Sequence, residues 1–232
     1  MDKENTNWLE RQSSMIGQDN TDKLINSSVL IFGIGGVGSF AAEALARSGI
    51  GKIVLVDFDT ISLSNINRQL IADTTTVGMK KVAVMADRIH KINPECNVIQ
   101  KDLFVTAENA GEIISSEKID FVVDCIDNVT AKIAIIDYCK SNGINIISSM
   151  GTGNKLDVSK FKITDISKTT VCPLAKVMRY ELRTRGIKQV PVLFSEEEPV
   201  LRGERVPASI SFVPSSAGLM IAGYVIKKLI EK

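Results

Sequence analysis

The chain of 232 residues is long enough for one large α/β domain, or one domain with a small appendage, around a substantial core. With 44% hydrophobic and 24% charged residues and a formal net charge of +1, the composition excludes a disordered, fibrous or globally basic nucleic-acid-binding chain, so any basic surface is local. The four cysteines, Cys96, Cys125, Cys139 and Cys172, form no CxxC pair and fit a reducing, cytoplasmic setting, while residues 1–26 are too polar for a secretory signal.

Residues 28–32 are apolar and β-rich, end in glycines, and are followed by an Ala-rich helical stretch over 39–48. Further strands are predicted over 52–57, 97–102, 121–124 and 145–149, alternating with helices over 77–92, 108–116 and 130–142. Such alternation implies a parallel, doubly wound α/β sheet with right-handed crossovers, extending to about Met150. We therefore divide the chain into a nucleotide-binding half, 1–150, and a C-terminal part of the same domain, 151–232. Beyond Gly151-Thr152-Gly153 the texture changes. A strand-like KFKITDI precedes a basic, proline-punctuated stretch, 168–207, that resists placement in the sheet; within it 174–185 reads as helix and 190–207 as a long loop. The apolar run 210–226, broken by Pro214, Gly218 and Gly223, reads as a strand end and a buried helix, too short for a membrane span.

The strongest local signal is Gly33-Ile34-Gly35-Gly36-Val37-Gly38 between a strand and a helix, the context of a Rossmann-like phosphate-binding turn. Asp57 follows at the end of the next strand, where a carboxylate accepts bonds from ribose hydroxyls and disfavours a 2′-phosphate. A triphosphate needs concentrated positive charge, which Arg68, Lys80 and Lys81 offer near the polar groups of Asp59, Asn65 and Asn67. Lys80 and Lys81 would alternatively be a solvated helix start. Asp127, at the end of the fourth predicted strand beside Asn128, is placed to hold magnesium together with phosphates, or else to cap the following helix.

The segments GIGGVG, VDFD, SNINRQ, VGMKK and DCIDN, in this order, resemble the ubiquitin-activating-enzyme-like (ThiF/MoeB/HesA) adenylyltransferase superfamily over roughly 13–149. The resemblance implies a doubly wound, Rossmann-like, mostly parallel sheet with a C-terminal substrate-binding extension. It implies that Asp57 binds ribose, that Asn67, Arg68 and Lys81 hold the phosphates of ATP, and that Asp127 binds Mg2+. Arg11, in LERQ, would reach the ATP of a partner subunit, so a homodimer is implied.

The two CxxC zinc pairs usual in the sulfur-carrier activators are missing, so no zinc is expected. TDISKTTVCPLAKVMRYELRTRGI, INPEC and FVPSSAGLMIAG instead resemble the tRNA threonylcarbamoyladenosine dehydratase branch. That implies adenylation of the threonyl carboxylate, ring closure by its own carbamoyl group, and a tRNA partner bearing the modified base. Lys176, Arg179, Arg183 and Arg185 are the candidate tRNA contacts, the first three on one helical face. Cys172, in a basic loop, is the one thiol with a candidate role as acceptor, although cyclisation needs none. His90, within a helix, reads as structural. The competing readings are adenylation of the C-terminal glycine of a ubiquitin-like sulfur carrier, an NAD-dependent oxidoreductase, and a nucleotide-sensing module. The sequence leaves open a monovalent cation and a docking sulfur-relay protein.

Overall fold

The structure is a computed structural model that describes residues 8–200 and 207–231. Among these, seven strands form one sheet: β1 (Ser28–Phe32), β2 (Lys52–Val56), β3 (Asn97–Lys101), β4 (Phe121–Asp124), β5 (Asn145–Ser149), β6 (Phe161–Asp165) and β7 (Pro191–Ser195). Their order is β3-β2-β1-β4-β5-β7-β6, all parallel except the antiparallel β6–β7 edge. The helices are α1 (Glu10–Ile16), α2 (Gln18–Ile25), α3 (Gly38–Arg47), α4 (Lys81–Ile92), α5 (Ala110–Ser115), α6 (Val129–Ser141), α7 (Pro173–Thr184) and α8 (Phe212–Ile230).

The sheet is covered on both faces because its central strands are apolar on both. In β1, Val29 and Ile31 join the core shared with α2, α3, α4 and α8, while Leu30 and Phe32 join the core shared with α5, α6 and α7. The doubly wound, mostly parallel α/β architecture expected from the sequence is the one found.

Three local expectations are corrected. The span 190–207 is not all loop: Pro191–Ser195 is a strand between β5 and β6, and Val192, Leu193 and Phe194 are buried. Its apolar run is short, and Pro191 sits at the first strand position, where a missing N–H is tolerated. Residues 201–206 of that expected loop lie outside the described residues. The helix expected from residue 77 starts at Lys81, because Gly78 turns at φ +88° and Lys80 bridges back to Thr60. The expected strand end near 210 is absent: one helix runs from Phe212, with Pro214 in the first turn, where no helical hydrogen bond is lost.

By length and apolar composition α8 is sufficient to cross a membrane, which corrects the expectation that this apolar run is too short for a span. Here Val213, Ala217, Ile221 and Val225 are buried against the sheet and α3, the position of a core helix. Gly218 makes that packing possible, since an added Cβ would stand 2.3 Å from the Val37 carbonyl oxygen and 2.9 Å from Phe40 Cβ.

At the end of β4 the core holds an ion pair with no solvent exposure. Lys132 Nζ lies 2.9 Å from Asp124 Oδ2 and donates to the Ile126 carbonyl at 2.9 Å. The Ser148 hydroxyl donates to the same Asp124 oxygen at 2.6 Å. Lys132 therefore ties α6 to the chain that leaves β4.

Two outcomes are expected in chemical denaturation. Gly218→Val should lower the free energy of unfolding by at least about 1–3 kcal/mol, the usual cost of forcing volume into a packed contact. Lys132→Met should cost about 3–5 kcal/mol by stranding Asp124 as an unpaired buried charge. A stability change within about 0.5 kcal/mol in either variant would refute the corresponding contact.

Candidate active site

The glycines of 33–38 divide into two tasks. Gly33 turns at φ +84°, and a Cβ there would stand 2.9 Å from the Cys125 carbonyl oxygen. Gly38 opens α3, and its Cβ would stand 1.8 Å from the Gly33 carbonyl oxygen. Backbone thus closes on backbone, and the N-terminus of α3 faces a cleft of about 650 Å³. Gly33, Gly35 and Gly36 line the cleft, whereas Gly38 does not and serves the closure instead. The cleft lies beyond the carboxyl ends of β1 and β4, where the strand order reverses, the crevice in which open α/β sheets bind ligands.

Asp57 follows β2 and is held from two sides: Oδ2 accepts from the Ile34 N–H at 2.6 Å and Oδ1 from the Asp59 N–H at 2.9 Å. Burial pushes its carboxyl above the ordinary aspartate range, against the opposing pull of Lys81 and of these two amides. Such an acceptor is poised for donors that arrive with a ligand, ribose hydroxyls among them.

The cations converge on the same cleft. Lys81, at the start of α4, is buried and not a solvated helix start; its Nζ contacts Asp59 Oδ2 at 2.6 Å. Lys80 turns away, donating to the Phe58 carbonyl and to Asp102 Oδ1. Arg68 Nη1 donates to the Ser64 carbonyl at 2.9 Å and to Asn67 Oδ1 at 3.0 Å, which fixes one edge of the guanidinium and leaves its other donors for an anion. Asn65 lines the cleft, but its Oδ1 accepts from the Ser62 N–H. Asn67 is not on the cleft wall; its Nδ2 donates to the Ser209 carbonyl at 3.0 Å, so its side chain is already committed to protein.

Across the cleft, the capping alternative for Asp127 is resolved in favour of its neighbour. Asn128 is the N-cap of α6 and accepts from the Ala131 N–H at 3.0 Å. Asp127 lines the cleft exposed, with no hydrogen-bond partner among the described residues. Arg68, Lys81 and Asp127 thus border one space with Asp57 and the glycine turn.

Several wall residues were not legible as such. Gln69, in SNINRQ, lines the cleft while 7% exposed, and its Oε1 is buried without a partner. An orphaned amide oxygen at a cleft wall fits a site completed by a ligand. Phe58 and Phe104 meet edge to face, ring centroids 4.7 Å apart, beside Leu103 on the same wall. The far wall is Gly151, Thr152, Gly153, Leu174, Pro207 and Ser209, the sequence-predicted substrate side.

Other candidates fall elsewhere. Arg11 is exposed on α1 and does not line this cleft. Cys172 stands at the N-cap position of α7, is 2% exposed and is not on the cleft wall, which corrects its reading as a candidate acceptor thiol in a basic loop. Cys125 does line the cleft, but burial pushes its thiol up to about 12, so it holds its proton at neutral pH. On α7 the expected basic face is incomplete. Arg179 turns inward and donates to the Thr169 carbonyl at 2.7 Å and hydroxyl at 2.6 Å, and Arg185 pairs with Glu181. Lys176 and Arg183 remain outward, with exposed Tyr180 between them in sequence.

The chain as a whole is similar to known proteins. The ThiF family profile matches residues 9–232. A relative from Bacillus subtilis, tRNA threonylcarbamoyladenosine dehydratase, is 44% identical over 96% of this chain and 94% of its own. The protein of that name from Escherichia coli is 41% identical over 76% of this chain and 67% of its own. A solved structure of the E. coli enzyme, TcdA, in complex with ATP superimposes with TM-score 0.90 at 35% identity, spanning 96% of this chain and 93% of that one. The chain belongs to the ThiF family.

Proposed function

We propose that this protein is an ATP-dependent tRNA threonylcarbamoyladenosine dehydratase, which adenylates the threonyl carboxylate of the modified base and releases the cyclic product. The observation that carries the reading is the single cleft shared by the glycine turn, Asp57, Arg68, Lys81 and Asp127, in a chain that matches dehydratases over nearly its whole length. A carboxylate is a poor electrophile because its leaving group would be oxide. Transfer of AMP to that oxygen releases pyrophosphate and makes AMP the next leaving group. Attack by the substrate's own carbamoyl nitrogen on the activated carbonyl then expels AMP and closes the ring, with the nitrogen's proton lost to solvent. The carboxylate oxygen leaves on AMP and the proton goes to solvent, so the substrate, counted from its carboxylic acid form, loses the elements of one water.

In this reading the residues position and neutralise. Asp57 accepts from ribose hydroxyls, the amides at the start of α3 take phosphate oxygens, and Arg68 and Lys81 offset charge that grows as pyrophosphate departs. Asp127 is the proposed Mg2+ ligand, where the ion would offset phosphate charge. A single carboxylate together with substrate phosphates is a coordination that suits Mg2+. Arg11, exposed and off its own cleft, is the residue that would reach the ATP of a partner subunit in the homodimer that the family resemblance implies. Lys176 and Arg183, on a helix whose Leu174 lines the cleft, supply the basic approach for tRNA. Four free cysteines support a cytoplasmic location.

The direct test is mass spectrometry of nucleosides from tRNA incubated with the protein and Mg-ATP. Threonylcarbamoyladenosine should lose one water, the loss should vanish with Asp127→Ala, and it should persist with Cys172→Ala. Unchanged nucleosides under conditions where ATP binds would refute the substrate assignment.

A further inference from the structure

The part of the cleft wall formed by Gly153, Pro207 and Ser209 is hung on one residue of left-handed backbone. Asn154 sits at φ +59°, a conformation that asparagine and aspartate tolerate better than other side chains. Its N–H donates to the Ala208 carbonyl at 2.7 Å, and its Oδ1 accepts from the Ala208 N–H at 2.7 Å. Its carbonyl accepts from the Val200 N–H at 2.8 Å. One residue thereby holds both Val200 and Ala208, although they are eight positions apart. Directly before it, Gly153 lies so close to Pro207 that an added Cβ would stand 2.7 Å from Pro207 Cβ.

The bonds continue into the phosphate side of the site. Ser209, next to Ala208, accepts from Asn67 Nδ2 at 3.0 Å, and Asn67 Oδ1 accepts from Arg68 Nη1 at 3.0 Å. Gly153, Pro207, Ser209 and Arg68 all border the cleft. The chain of contacts runs from Asn154 through Ala208, Ser209 and Asn67 to the guanidinium.

From this geometry we propose that Asn154 is a positioning residue: by clamping Ala208 it sets the Ser209 carbonyl that orients Asn67, and so aims Arg68 at the phosphates of ATP. This rests on the ATP-dependent reading of the cleft. It gives Asn67 a role distinct from direct phosphate contact, and it explains why a non-glycine residue occupies a left-handed position. Glycine would serve the backbone there but would lose the bond to the Ala208 N–H.

Asn154→Gly isolates that bond, because glycine adopts the backbone without strain and the chain should fold. Asn154→Asp keeps both the backbone tolerance and the acceptor. Mg-ATP affinity is measured by equilibrium dialysis without tRNA, alongside KM and kcat for the tRNA reaction. Asn154→Gly should weaken ATP binding and raise the ATP KM by about 3- to 10-fold, the loss expected for one hydrogen bond, with kcat changed less than about 2-fold. Asn154→Asp should restore both. In the background of Asn67→Ala, where the relay is already cut, Asn154→Gly should add little further loss. A glycine variant with unchanged ATP affinity would overturn the proposal, as would an aspartate variant as weak as the glycine one, or full multiplication of the two losses. If the wild type binds Mg-ATP but leaves tRNA unchanged, the dehydratase reading fails, and the dialysis cycle still decides the role of Asn154.

Discussion

The site depends on a steric constraint: no side chain fits at Gly33 or Gly38, where β1 turns into α3. The Gly33 carbonyl occupies the space a Cβ on Gly38 would need, and the Cys125 carbonyl crowds the same face of Gly33. Closing this turn draws the chain that leaves β4 against the phosphate-binding loop, so that Asp127 on one side and Arg68 and Lys81 on the other share a space. The pair of Lys132 and Asp124 secures the same junction from below, through the Ile126 carbonyl. Gly218 brings α8 against the start of α3 and Pro214 to Gly36. Close backbone approach, more than any single ion pair, is what lets distant segments build one cleft.

Electrostatics then assigns the segments their tasks. Asp57 is burdened by burial and relieved by two amides and Lys81, an arrangement that favours hydroxyl donors from a ligand. Lys81 is held in a nearly buried position by its contact with Asp59, and Arg68 has one edge spent on protein and one free. The cleft therefore holds preorganised positive charge with little rearrangement left to make, the condition under which electrostatic stabilisation is most effective. The thiols stand apart from this chemistry: Cys125 is the one cysteine on the wall, and burial keeps it protonated.

Much of this was legible in the sequence because strong periodicity and special residues coincide there. The strands of 28–32, 121–124 and 145–149 are apolar runs bounded by turn signals, and the structure places them at those residues. GIGGVG and Asp57 announced the nucleotide side because glycine spacing and the following carboxylate have a direct steric and hydrogen-bonding meaning. β7 was hidden by Pro191 and the acidic triplet after it, since a five-residue buried strand carries too little pattern to outweigh such neighbours. The helix expected from 77 starts later because Gly78 turns the chain at φ +88°. Roles that depend on partners far along the chain were not legible. Asn67 looks like a phosphate ligand until Ser209 is brought beside it, and Arg179 looks outward until Thr169 folds under it. Lys132, a lysine inside the apolar run AKIAII, reads equally well as a solvent-facing helix position, and only the fold brings it to Asp124.

The claim most exposed to refutation is that this one cleft forms an acyl-adenylate on tRNA. Exchange of labelled pyrophosphate into ATP reads that step directly, because the label returns only by reversal of adenylation. The account predicts exchange that requires tRNA bearing threonylcarbamoyladenosine. Exchange that ignores this tRNA and responds instead to a small carrier protein ending in glycine would contradict it.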